Sequence, residues 1–124
     1  MLLVRKPGLK FMWRGDHADW DFATGAFTQD GALHELDLSA IVPGKAKLVQ
    51  VRLNVVGSSS GKLCALTSAD NTTVYHLSGV TCCVASVVNR GTVTVPISKT
   101  GIVKSYADTS GFSGIYANVL GWWY

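Results

Sequence analysis

Apolar and polar residues alternate with a period of two along much of this chain, most clearly between Leu33 and Val56. Leu36 and Leu38 fall on one side, with Glu35, Asp37 and Ser39 on the other. Further on, Val49, Val51, Leu53 and Val55 share a face opposite Gln50, Arg52 and Asn54. Successive side chains of a strand point to opposite faces, so each run describes a strand with one side on a core and one in water. Between them, Val42-Pro43-Gly44-Lys45 has the chemistry of a turn. Proline presets φ, glycine accepts a positive φ, and lysine keeps the tip solvated.

The same reading covers the rest of the chain. Lys62 to Thr67, Thr72 to Leu77, Thr92 to Ile97, Ile102 to Tyr106 and Phe112 to about Tyr124 are predicted strands, and another carries Trp20 and Phe22. Clusters of Gly, Ser, Asn and Asp separate them, as in Gly57-Ser58-Ser59-Ser60-Gly61 and Asp108-Thr109-Ser110-Gly111. Val80 to Val88 is apolar on both faces, which predicts a central strand or one covered by another subunit. Pro96 has no amide proton and places its strand at a sheet edge, or ends it there. In Gly121-Trp122-Trp123-Tyr124, one tryptophan is expected in the core and the other facing outward, because neighbours on a strand point opposite ways. No helical period appears. The expected fold is all-β: an antiparallel, jelly-roll-like β-sandwich of about eight to ten short strands. Residues 1–14 read as a basic N-terminal arm or edge strand, and residues 15–124 as a single β-sandwich domain.

Composition narrows the function classes. The chain has 124 residues, 48% hydrophobic and only 15% charged, with a formal net charge of +3. So little charge on a small domain suggests surface covered by neighbouring subunits. The mild, dispersed positive charge argues against nucleic acid as a partner. No stretch reaches the ~18 apolar residues of a membrane helix, and Arg5-Lys6-Pro7 follows Met1-Leu2-Leu3-Val4 in the reverse of the order in a signal peptide. Cys64, Cys82 and Cys83 lack metal-site spacing and read as buried free thiols, which fits synthesis in a cytosol.

Candidate chemistry is sparse. Arg5, Lys6, Lys10 and Arg14 form a basic segment without acids, read either as a lysine-protected edge strand or as an arm reaching an acidic partner surface. Asp16, His17, Asp19 and Asp21 are an acidic cluster, but the calcium-loop pattern with its later glutamate is missing, so turns and capping bonds are expected instead of a metal site. There is no GxSxG, no HExxH and no pair of glutamates, Glu35 being the only one. The expectation is no enzyme, no catalytic residue, no metal and no cofactor. Trp13, Trp20, Tyr75, Trp122, Trp123 and Tyr124 offer aromatic faces that a sugar-binding or receptor-binding module would use, with Asp16, Asp19 and Asp21 as acceptors for hydroxyls.

The run LHELDLSAIVPGKAKLVQVRL, with strands that close on GWWY, resembles small β-sandwich domains of bacteriophage virion proteins. Such domains occur in tail, fibre and head-decoration components and carry an LDLS-x-IVP hairpin and a terminal GWW. The matching positions are Leu36 to Ser39, Ile41 to Pro43, Val49 to Leu53 and Gly121 to Trp123. Lys45 and Lys47 stand where smaller, less charged residues are expected. The resemblance implies a virion protein, made in the host cytoplasm, that self-associates as a homo-oligomer, a trimer being favoured. Its partners would be other virion proteins such as the major capsid or tail protein. The role implied is capsid decoration, cementing, or part of a tail appendage. The alternative is a tail-fibre module that binds a receptor or host surface glycan. The expected partner-binding residues are Arg5, Lys6, Lys10, Arg14, Trp122 and Trp123.

Overall fold

The computed structural model describes residues 8–15, 19–109 and 111–124. Eight strands follow one another: β1 (Phe11–Trp13), β2 (Leu33–Asp37), β3 (Leu48–Gly57), β4 (Lys62–Ser68), β5 (Ser78–Cys82), β6 (Asn89–Pro96), β7 (Ile102–Ala107) and β8 (Phe112–Trp123). They form two antiparallel four-stranded sheets, ordered β1-β8-β3-β6 and β2-β7-β4-β5. Every connection except β4–β5 crosses from one sheet to the other. That order is the topology of a jelly roll.

The alternating runs follow their pattern except at Asn54, expected on the wet face of β3 but only 6% exposed. Val49, Val51, Leu53 and Val55 are buried on the inner face of β3, the longest-paired strand, which lies between β8 and β6. From the opposite sheet they face a layer that includes Leu36, Leu66 and Val103. One expectation changes, because β2 and β3 do not form a hairpin. Leu38 and Val42 are buried in the connection, and the amides of Ile41 and Val42 both donate to the Leu38 carbonyl at 2.9 Å. This tight turn, with its apolar side on the core, carries the chain from one sheet to the other. Gly101 closes against it. Its φ is +81°, and a Cβ there would lie 2.7 Å from Ser39 Cα, so only glycine fits both the backbone and the space.

Strand β8 is irregular at both ends. Gln50 pairs with Gly121 but Val51 pairs with Val119, leaving Leu120 as an extra residue; Ser113 is extra in the same way between Gly114 and Phe112. An extra residue shifts the alternation by one, so what lies beyond it changes face. Ile115, Ala117 and Val119 point inward by simple alternation, which continued without a break would send Trp123 inside. The bulge at Leu120 turns Trp122 into the core instead. The bulge at Ser113 does the same for Phe112.

Three sequence expectations are corrected. Residues 72–77 form no strand; they make an exposed turn, held where Thr67 Oγ1 donates to the His76 carbonyl, with Val74 46% and Tyr75 85% exposed. The run Val80 to Val88 is not a central strand. It supplies the last residues of β5, an edge strand, then leaves the sheet after Cys82. Val84, Val87 and Val88 are exposed, and Ser86 takes φ +63° as the chain turns back into β6. An unbroken apolar run carries no periodicity, so nothing in it separates a buried strand from an apolar loop. Around Trp20 and Phe22 there is only an isolated bridge, Phe22 to Ala117.

Candidate functional site

The surface feature that stands out is strand β1 with the residues beside it. Among the described residues β1 pairs with β8 alone, through Phe11–Trp123, Met12–Trp122 and Trp13–Gly121. Residues directly opposite one another share a face, so Phe11 and Trp13 lie with Trp123 on the outside of the sheet. The Phe11 and Trp123 rings are tilted together with centroids 4.6 Å apart. Phe11 also lies across Gly121, where a Cβ would sit 2.5 Å from its ring. Leu9, Phe11, Met12 and Trp13 are each between 41% and 56% exposed. Four large apolar side chains thus stand exposed within the five residues 9–13, three of them on edge strand β1, and an exposed apolar patch of this kind on a sheet edge is uncommon on a solvated surface.

Where β1 stops, side chains continue its role. Arg14 is ion-paired with Asp21, and the Asp21 carboxylate accepts from the Val119 amide at 2.8 Å. The Arg14 amide donates to the Leu120 carbonyl at 3.0 Å, and Phe22 then resumes backbone pairing on Ala117. Further along, Thr24 Oγ1 and the Gln29 amide oxygen accept from the Ile115 and Phe112 amides. The segment between β1 and β2 thus covers the edge of β8 and braces the bulge at Leu120.

The residues expected to bind partners separate accordingly. Arg14 has its charge matched within the chain by Asp21. Lys10 is exposed, and its carbonyl accepts from the Tyr124 amide at 3.0 Å. Trp122 is in the core and Trp123 is half-buried under Phe11. Arg5 and Lys6 lie outside the described residues, as do Asp16 and His17 of the acidic cluster. Trp13 was expected only as an aromatic face of a binding module, and Leu9, Phe11 and Met12 were not anticipated as a site. Their only signal in the sequence is apolar side chains interleaved with a basic segment.

Titratable groups outside this surface serve local structure. His34 pairs through Nε2 with Asp30 at 2.8 Å, and the hydrogen bond from His34 holds the Asp30 carboxyl below its usual value. Ser39 does the same for Asp37. Tyr106 donates to Asp108 at 2.7 Å, and that bond pushes the phenol up. The three thiols are free; Cys64 and Cys82 are buried, whereas Cys83 is exposed, which corrects the expectation that all three lie inside. Burial, with the charge of Asp108 adding to it, pushes the Cys64 thiol up to about 12, so it carries no thiolate at neutral pH. Among the described residues no three metal-ligating side chains converge, and no helix is long and apolar enough to cross a membrane.

The chain matches no protein-family model and no curated protein.

Proposed function

We propose that this chain is a structural protein of a bacteriophage particle, a jelly-roll subunit that associates with copies of itself on the virion surface. The role is capsid decoration or cementing, or part of a tail appendage, with a homotrimer as the favoured assembly. Edge strand β1, with exposed Leu9 just before it, carries this reading. Burying such a strand against another subunit removes apolar area from water and pairs an open edge in the same step. The exposed valines at 84, 87 and 88 offer a second apolar contact, and the jelly roll itself is an architecture that capsid proteins use. Sedimentation of the purified chain tests the proposal. An oligomer that Trp13→Ser dissociates into folded subunits is expected, and a stable monomer at micromolar concentration overturns it.

A second reading, a receptor- or glycan-binding module, draws on one observation. Trp20 is 40% exposed and packs on Tyr116 with ring centroids 5.4 Å apart, a platform of the kind on which sugars stack. A glycan array separates the readings, and no hit removes this one.

A further inference from the structure

At the end of the sandwich where β2 leads into β3 and β6 into β7, the chain forms an open recess of about 470 Å³. It is lined by Gly44, Lys45, Ala46, Lys47, Ile97 and Lys99. Ala46 and Ile97 are buried and supply an apolar base. Backbone bonds hold the walls in place: the Ala46 amide donates to the Pro43 carbonyl at 3.0 Å, Lys47 to Trp123 at 2.7 Å, and Ile97 to Lys47 at 3.1 Å. The recess is therefore set by the two loops and the end of β8 together, and not by one flexible segment.

Its charge is one-sided. Three of the six lining residues are lysines and none is acidic. The two ion pairs among the described residues, Arg14–Asp21 and Asp30–His34, involve none of these lysines. The Lys45 ammonium lies 4.6 Å from the centroid of the Tyr124 ring, a contact that positions the cation without neutralising it. With three cations among the lining residues and no acid, an anion in the recess meets attraction and no like charge. Lysines are compact point charges suited to phosphate, whose near-dianionic group offers several strong acceptor oxygens to separate ammonium groups. The volume lies within the range of small-molecule sites, roughly 300–1,000 Å³. We propose that this recess binds a small phosphorylated ligand, its phosphate group held by Lys45, Lys47 and Lys99. The proposal does not depend on the assembly role, which uses different residues.

Calorimetric titration of the intact chain at low salt tests it, with inorganic pyrophosphate and glycerol 3-phosphate as probes. Saturable one-to-one binding is expected. The variant Lys47→Gln/Lys99→Gln weakens it by about tenfold or more, since bonds to charged groups are the stronger kind. A control, Arg52→Gln/Arg90→Gln, removes the same charge from exposed positions on the outer face of β3 and β6 and leaves affinity unchanged within about twofold. Tighter binding of pyrophosphate identifies free phosphate as the ligand chemistry, and tighter binding of glycerol 3-phosphate a phosphate ester. In the wild-type chain, amide NMR shifts cluster at Gly44, Ala46 and Ile97. Absence of saturable binding, an equal loss in the arginine control, or shifts centred elsewhere overturns the proposal.

Discussion

Replacing the two adjacent tryptophans one at a time tests the bulge at Leu120 directly. Trp122 is 9% exposed and packs in the core, whereas Trp123 is half-buried and meets Phe11 on the outer face. Trp122→Ala removes a large side chain from close-packed surroundings, at a cost of about 3–5 kcal/mol. Trp123→Ala loses one aromatic contact and part of its covered area, about 1–2 kcal/mol. Unfolding entropy of about 2.1 cal/mol/K per residue, over 124 residues, makes 4 kcal/mol a fall in Tm of about 15 °C. The smaller loss is a fall of about 4–8 °C on the same scale. A third variant sharpens the test. Trp122 Nε1 is buried without an acceptor, and such an orphan donor costs about 1–3 kcal/mol. Trp122→Phe gives up ring area but removes the orphan, so it stays within about 1 kcal/mol of wild type. Urea and thermal unfolding followed by far-UV circular dichroism measure all three. Unbroken alternation from Ile115 would make Trp123 the core residue, so a larger loss for Trp123→Ala than for Trp122→Ala refutes the argument.

Gly101→Ala forces a Cβ against Ser39 at a positive φ, and a loss of about 2–3 kcal/mol is expected by urea unfolding; a neutral substitution would mean the β6–β7 turn relaxes freely. With a thiol reagent at neutral pH, Cys83 reacts at once while Cys64 and Cys82 react only as the chain unfolds, so the native protein titrates as one fast thiol. Asp30 and Asp37 have folded-state pKa values below 3.8, so each contributes stability that is present above the unfolded value and lost as pH falls through the lower folded one. Urea midpoints measured down the acid limb should therefore fall less steeply for Asp30→Asn/Asp37→Asn than for wild type, from a lower starting point at neutral pH.

The sequence by itself determined the class of fold and the inward face of most strands. Alternation is a local property: once Val49, Val51, Leu53 and Val55 lie on a strand, its pleat sends them all one way. The strand ending at Pro96 was legible as an edge for an equally local reason, the missing amide proton. What escaped the sequence depends on partners distant along the chain. Whether β2 pairs with β3 or crosses to the other sheet is decided by where Leu38 and Val42 find apolar neighbours, not by the turn residues between them. The choice of Trp122 over Trp123 rests on one unpaired residue, Leu120, which exists only relative to β3 and is braced by Arg14 and Asp21 from the other end of the chain. An edge strand within residues 1–14 was one of two sequence readings, but its pairing with β8 among the described residues, and the exposure of its apolar side chains, came only from the structure. The lysine recess has the same origin. Lys45 and Lys47 are near neighbours in sequence, but Lys99 joins them because β3 pairs with β6, and the Ile97 amide closes the loop on Lys47. Periodicity reports which way a side chain points within its own strand; which strands meet, and in what register, is set by long-range burial and by hydrogen bonds that no local pattern encodes.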